Sequence, residues 1–221
     1  MIDLSDTDLT SIETQTFNDL DNLVELQLDN NELTEIKELT FEKLVKLKSL
    51  HLNNNQISFL RNHENHVQID DAVEKEKINL SLIFKGLENL LNLFLHYNEI
   101  TEIDSNVFNS NLNKLQVLYL NQNKISVIKE NTFDNLVSLK KIRLDNNNII
   151  SIENFNVFSK LSNLELVNLQ QNNFSNQNDQ TKNLCTKTSN PKCKVLAKIP
   201  RKIKVSTKST TPMLKTTLAP G

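Results

Sequence analysis

The chain repeats one apolar pattern, L-x-x-L-x-L-x-x-N-x-L-x-x-I, and successive copies begin 24 or 25 residues apart except at one interruption. A unit of this length cannot bury its own apolar face, so consecutive units must stack into a solenoid. Such a stack has no single catalytic pocket, and its function is expected on a surface. Seven copies are visible across about residues 1–175. The clearest copy comprises Leu23, Leu26, Leu28, Asn31, Leu33, Ile36, Phe41 and Leu44.

Each position of the pattern has a physical role. Alternating leucines predict one short strand per unit, with apolar side chains inward and the intervening residues outward, so that strands of neighbouring units pair in parallel. The asparagine follows where the chain leaves the strand, and its amide can bond the backbone of adjacent turns. In the first unit Thr7 holds this position. The predicted structural ladder is Asn31, Asn55, Asn98, Asn123, Asn147 and Asn172.

One phenylalanine per unit fills the return side of the coil. We predict a spine of stacked rings without a ligand role, each ring contributing about 1.5–3 kcal/mol through burial. The spine consists of Phe17, Phe41, Phe84, Phe108, Phe133 and Phe158.

Together these leucine, asparagine and phenylalanine positions resemble the leucine-rich repeat family. The resemblance implies an α/β solenoid: a right-handed horseshoe with a concave parallel β-sheet of about seven rungs and a mostly irregular or short-helical convex side. The 24-residue unit with its phenylalanine is similar to the typical, extracellular-type subclass. It implies a non-enzymatic scaffold that binds a protein ligand on the concave face, as in a receptor, adhesion or immune recognition module.

The third repeat carries an insertion of about 19 residues, at about residues 61–79. Its polar composition predicts a surface loop away from the strand, with a short helix over residues 70–77. A tolerated excursion and a dedicated binding loop both stay open. His63, Glu64 and His66 lack helical i, i+4 spacing and a third partner in sequence, so no metal site is predicted.

The register also identifies the side chains of the concave face. The mid-sheet column is Asp3, Gln27, His51, Phe94, Tyr119, Arg143 and Asn168, and the next column is Ser5, Asp29, Asn53, His96, Asn121, Asp145 and Gln170. Exposed aromatic residues beside an arginine are typical of protein-binding hot spots. We therefore predict a contact centre of His51, Phe94, His96, Tyr119 and Arg143. The alternative is structural: Phe94 and Tyr119 stack as a cross-strand pair under Arg143. The more acidic first rungs would favour the basic part of an elongated ligand.

Basic and acidic residues are distributed unevenly along the chain. Residues 182–221 contain ten Lys or Arg and no Asp or Glu, which leaves 15 basic and 27 acidic groups in the other 181 residues. The tail is thus +10 and the repeat body −12. We assign residues 201–221 to a basic, Ser/Thr/Pro-rich disordered tail, with nucleic-acid or anionic-surface binding by this tail as an alternative function.

Residues 176–200 contain both cysteines, Cys185 and Cys193. Extracellular members of the family usually close the stack with a cysteine-bearing cap, and the resemblance implies that this pair is a reduced version of it, joined by a disulfide. A free pair in a reducing compartment is the competing interpretation, and it would accompany an intracellular scaffold that docks an enzyme.

Composition and motifs exclude several functions. With two glycines in 221 residues, the chain has no glycine-rich phosphate loop, G-x-S-x-G elbow or dinucleotide fingerprint. We predict no enzyme, no cofactor and no small-molecule substrate. The sequence shows neither a secretory signal nor an apolar stretch long enough to span a membrane. Because the first rung begins at Met1 without a cap, we expect a fragment of a longer extracellular or cell-surface protein, with a cytoplasmic location as the alternative.

Overall fold

The structure is a computed structural model that describes residues 1–60, 82–153, 156–174, 190 and 192–197. Twelve short strands run through these residues. In chain order they are β1 (Ile2–Asp3), β2 (Glu25–Gln27), β3 (Ser49–His51), β4 (Phe59–Leu60), β5 (Asn92–Phe94), β6 (Glu102–Ile103), β7 (Val117–Tyr119), β8 (Val127–Ile128), β9 (Lys141–Arg143), β10 (Ser151–Ile152), β11 (Leu166–Asn168) and β12 (Lys194–Leu196).

Eight of these strands form one parallel sheet in the order β1-β2-β3-β5-β7-β9-β11-β12. Successive strands pair at equivalent repeat positions, as with Phe94 opposite Tyr119 and Tyr119 opposite Arg143. The central residue of a typical rung, such as Leu93 or Leu118, is fully buried. Its two neighbours lie on the sheet face. The predicted parallel β-solenoid is confirmed, and so is the register of its face.

The insertion does not interrupt this sheet. β3 pairs directly with β5, and His51 lies opposite Phe94. The predicted insertion at residues 61–79, including its helix and its histidines, lies outside the described residues. Cys185 and the tail at 201–221 lie outside them as well.

An additional strand was not anticipated. β12 falls in the segment assigned to a cap and pairs with β11, with Val195 opposite Val167. The segment lacks the repeat pattern, but Val195 still packs against the apolar core. The sheet thus extends one strand beyond the rungs that the leucine spacing reveals.

The return side is mostly irregular. Two small parallel sheets lie there, β4 with β6 and β8 with β10. The described residues contain one helix, a 3-10 turn at Ser110–Leu112 that the Asn109 side chain caps. The buried phenylalanine rings stack in two runs, Phe17 with Phe41 and Phe84 through Phe108 and Phe133 to Phe158, with centroids 6.1 Å apart for Phe84 and Phe108 and 5.6 Å for Phe133 and Phe158. No helix in the described ranges is long and apolar enough to cross a membrane.

The ladder asparagines join the rungs at the exit from each strand. Asn123 shows the pattern: its Oδ1 accepts from Ile100 N–H at 3.0 Å, and its Nδ2 donates to the carbonyls of Leu95 and Leu120 at 2.9 and 3.1 Å. The same arrangement recurs from Asn31 to Asn172. Each amide thereby satisfies buried backbone groups that the short strands leave without a ladder partner.

Candidate binding face

Aromatic rings cluster at the centre of the sheet face. The Phe94 ring lies 4.6 Å from the His51 ring and 5.4 Å from the Tyr119 ring, edge to face with the latter. The His96 ring lies 6.0 Å from Tyr119 and 5.6 Å from Tyr97. We call these five residues the aromatic centre. Four of them are half-buried and Tyr97 is exposed, so their rings stay accessible from the face.

Arg143 borders the aromatic centre and is held in one position. Its guanidinium carbon lies 5.6 Å from the centroid of the Tyr119 ring. Its Nε and Nη2 donate to both carboxylate oxygens of Asp145, at 2.9 and 2.7 Å. This hydrogen bonding is the main reason that the pKa of Arg143 is raised. Phe94 and Tyr119 thus form the cross-strand pair that the structural alternative predicted, with Arg143 next to Tyr119. The same three side chains are accessible on the sheet face in a fixed arrangement.

His51 connects the aromatic centre to the acidic first rungs. Its Nε2 lies 3.0 Å from Ser49 Oγ and 3.4 Å from Glu25 Oε1. Towards the first rung, the pKa of Asp3 is lowered, mainly by the hydrogen bond that its carboxylate accepts from Ser5. This end of the face is therefore anionic at neutral pH.

Two buried polar atoms, one in the aromatic centre and one beside it, have no hydrogen-bond partner. Asn121, on the rung after His96, is 3% exposed. Its Oδ1 and the Nδ1 of His96 are buried and have no hydrogen-bond partner. Burial lowers the pKa of His96, and the charges of Arg143 and His51 lower it further, whereas Asp29 opposes the shift. The lowered pKa favours neutral His96 at pH 7, and in the tautomer that keeps the proton on Nε2 its Nδ1 can accept a hydrogen bond.

Tyr97 is a member of the aromatic centre that sequence reasoning missed. It has a φ of +54°, a conformation that large side chains rarely adopt and that is usually left to Gly, Asn or Asp. The equivalent residues of the other rungs are Asp6, Asn30, Asn54, Gln122, Asn146 and Gln171, with φ between 53 and 57°. A signal was present in the sequence, because Tyr97 is the one aromatic residue in the position before the ladder asparagine.

The described residues contain no group of three or more His, Cys, Asp or Glu that could hold a metal ion. The aromatic centre and its surroundings instead provide aromatic faces, hydrogen-bond acceptors and one paired guanidinium. Such groups bind by packing and hydrogen bonding.

A model of the leucine rich repeat family matches residues 1–57 and 88–149 of the chain. The chain belongs to the leucine-rich repeat family. This leucine-rich repeat chain matches no curated protein. Among solved structures, it is similar to the chain in a crystal structure of the TLR13–ssRNA13 complex, with 26% identity and a TM-score of 0.63. The match covers 76% of this chain and 21% of that chain, so the repeats described here span about a fifth of that protein's length.

Proposed function

We propose that this chain is a non-enzymatic scaffold that recognises a protein ligand through its sheet face. The contact centre comprises His51, Phe94, His96, Tyr119 and Arg143. The observation that carries the proposal is an accessible, preorganised group of rings in the middle of a face whose other columns are mainly polar. Protein interfaces concentrate binding energy in such central aromatic and arginine side chains, surrounded by polar residues that exclude water.

The fixed position of these side chains supports the proposal. The Tyr119 ring contacts both the Phe94 ring and the Arg143 guanidinium, and two hydrogen bonds to Asp145 hold Arg143 in place. Little side-chain entropy remains to be lost when a partner docks, and preorganisation of this kind raises affinity. The outward position of the cluster also means that the buried core does not depend on it.

Affinity capture from native extract tests this proposal. The bait is the intact chain, compared with a Phe94→Ala, Tyr119→Ala variant of confirmed fold. The double variant should lose more than about 2 kcal/mol of binding free energy for the captured partner. A Val137→Ala, Ile150→Ala variant is the matched control, since both side chains are exposed apolar groups outside the aromatic centre. A partner held equally by all three baits would place the binding surface elsewhere.

Single-stranded RNA is a second candidate ligand, favoured by the similarity to the chain of the TLR13–ssRNA13 complex. Aromatic rings and arginine also stack on bases. Charge opposes it, because phosphate contacts need several Lys or Arg and the repeat body carries −12 by sequence. RNA binding would fall steeply with added salt, whereas binding centred on aromatic packing would change little.

An extracellular or cell-surface location fits the 24-residue repeat and the cysteine pair, and we propose it with the receptor-like function. The intracellular alternative, a scaffold that docks an enzyme, predicts reduced thiols at Cys185 and Cys193. Alkylation of the native protein, followed by mass spectrometry, distinguishes the two locations: labelled cysteines favour the intracellular scaffold.

A further inference from the structure

We infer that the aromatic centre binds a lysine or arginine side chain of the protein ligand, whose N–H groups donate to Asn121 Oδ1 and His96 Nδ1 beside the Tyr97 ring. The inference rests on the proposed function, because it names the chemical group that this face would take.

The two acceptors carry the first step of the argument. Buried polar atoms in folded proteins almost always have a hydrogen-bond partner, so an unpaired one calls for a specific reason. Other residues in the same column are satisfied: Ser5 donates to Asp3, and Asp145 accepts from Arg143. Only at the central rungs are such acceptors left unpaired within the described part of the chain. Their position next to accessible rings matches a site whose partner arrives with the ligand.

The backbone of Tyr97 is a second, independent observation. Its backbone N–H donates to the backbone carbonyl of Asn121 at 3.1 Å, the bond that the equivalent residue of the other rungs also makes to the next rung. The side chain is 52% exposed, and its ring contacts His96. A large ring kept in an unfavourable conformation, where the other rungs use Asp, Asn or Gln, indicates a role that a smaller residue would not fill.

The net charge of the whole face favours a cation over an anion, although Arg143 and His51 lie on the neighbouring rungs. A third column of the face, formed by the first residue of each strand from β2 to β11 in the main sheet, contains Glu25 and Lys141. With the two columns described above, the face carries the carboxylates of Asp3, Glu25, Asp29 and Asp145 and the cations of Lys141 and Arg143. The net formal charge of these six groups is −2. Asp145 pairs with Arg143 and offsets part of its charge.

The chemistry of the two acceptors limits which chemical groups of a ligand can bind here. Asn121 Oδ1 and, in the Nε2–H tautomer, His96 Nδ1 both accept from a donor, and one ammonium or guanidinium group can supply two N–H bonds. The surrounding faces of Phe94, Tyr97 and Tyr119 attract a cation through their quadrupoles. A neutral amide would satisfy the acceptors but would gain less from the rings and from the negative face.

A displayed library of random peptides, selected against the intact chain, tests the inference. Selected peptides are expected to share a lysine or arginine, and replacing that residue with norleucine should abolish binding. Asn121→Leu should weaken binding at least about tenfold, because it removes the acceptor of a charge-assisted bond. Asn53→Leu is the matched control in the same column and should change binding less than about twofold.

Tyr97→Asn separates binding from folding. Asparagine tolerates the left-handed conformation, so the melting temperature should stay the same or rise while peptide affinity falls at least about tenfold. If the Asn121→Leu variant loses both its affinity and its fold, the Tyr97→Asn variant decides the test. Undiminished binding by the Tyr97→Asn variant would overturn the inference.

The remaining outcomes distinguish the two proposals. Peptides that need Phe94 and Tyr119 but contain no cationic residue would overturn the inference and leave the proposed function standing. Failure to select any peptide that depends on Phe94 and Tyr119 would overturn the inference, whereas the proposed function is refuted by a captured partner that the Phe94→Ala, Tyr119→Ala variant holds as tightly as the intact chain does. Competition by a short single-stranded RNA that requires Asn121 would also overturn the cation assignment, because the ligand group would then belong to a polyanion.

Discussion

Replacing Asn147 with leucine should destabilise the fold through one buried backbone group above all. Asn147 Oδ1 accepts from Ile125 N–H at 3.0 Å, and its Nδ2 donates to the carbonyls of Leu120 and Leu144 at 2.9 and 3.1 Å. Both carbonyls also accept from a neighbouring ladder asparagine. The substitution therefore leaves Ile125 N–H without its partner, whereas each carbonyl keeps one bond.

The magnitude follows from this difference. An orphaned buried N–H costs about 1–3 kcal/mol, and the weakened carbonyls add about 0.5 kcal/mol each, which gives about 2–4 kcal/mol in total. Leucine has the branching of asparagine but a larger volume, so any steric strain in this buried site would add to the loss. The loss should appear as a lower urea midpoint, with an unchanged slope, in unfolding followed by far-UV circular dichroism.

Asn148 is the matched control for this prediction. It neighbours Asn147 and has an exposed side chain. Asn148→Leu should stay within about 0.5 kcal/mol of the unchanged protein. If Asn147→Leu is as stable as Asn148→Leu, the ladder asparagines contribute no net free energy and the reasoning fails.

Three further predictions concern the core, a turn and the face. Phe133→Ala should cost about 3–5 kcal/mol, because the ring is fully buried between stacked neighbours; a urea midpoint near that of the unchanged protein would contradict it. Gly86→Ala should cost more than about 2 kcal/mol, since a Cβ there would lie 2.1 Å from a backbone oxygen at a φ of +91°; calorimetry that shows no fall in melting temperature would disprove this. Arg143→Gln should raise the pKa of His96, because burial and then the Arg143 charge hold it low; an NMR titration of the imidazole measures the change. Lys141→Gln is the control, and an equal rise there would rule out a specific effect of Arg143.

The sequence determines much of the fold because one spacing fixes many positions at once. A period of two within the strand and of 24 or 25 between strands identifies which side chains are inward, outward and opposite each other. The parallel sheet and the membership of the family are confirmed. β12 was missed because Val195 follows no leucine pattern and is recognised only by its pairing with Val167.

The candidate site was accessible to sequence reasoning only in part. Register placed Phe94, His96 and Tyr119 on one face, and their predicted role in binding stays a prediction. The choice of Asp145 as the partner of Arg143 depends on side-chain conformation, which the repeat period does not encode. The unpaired atoms of His96 and Asn121 are likewise visible only when every neighbouring donor has been placed.

Hydroxyl-radical footprinting of the aromatic side chains, with and without the captured partner, tests the central claim most directly. If the sheet face is the binding surface, oxidation of Phe94, Tyr97 and Tyr119 should fall on complex formation, while that of Phe174 stays constant. Unchanged oxidation of the three face residues in a saturated complex would contradict the account.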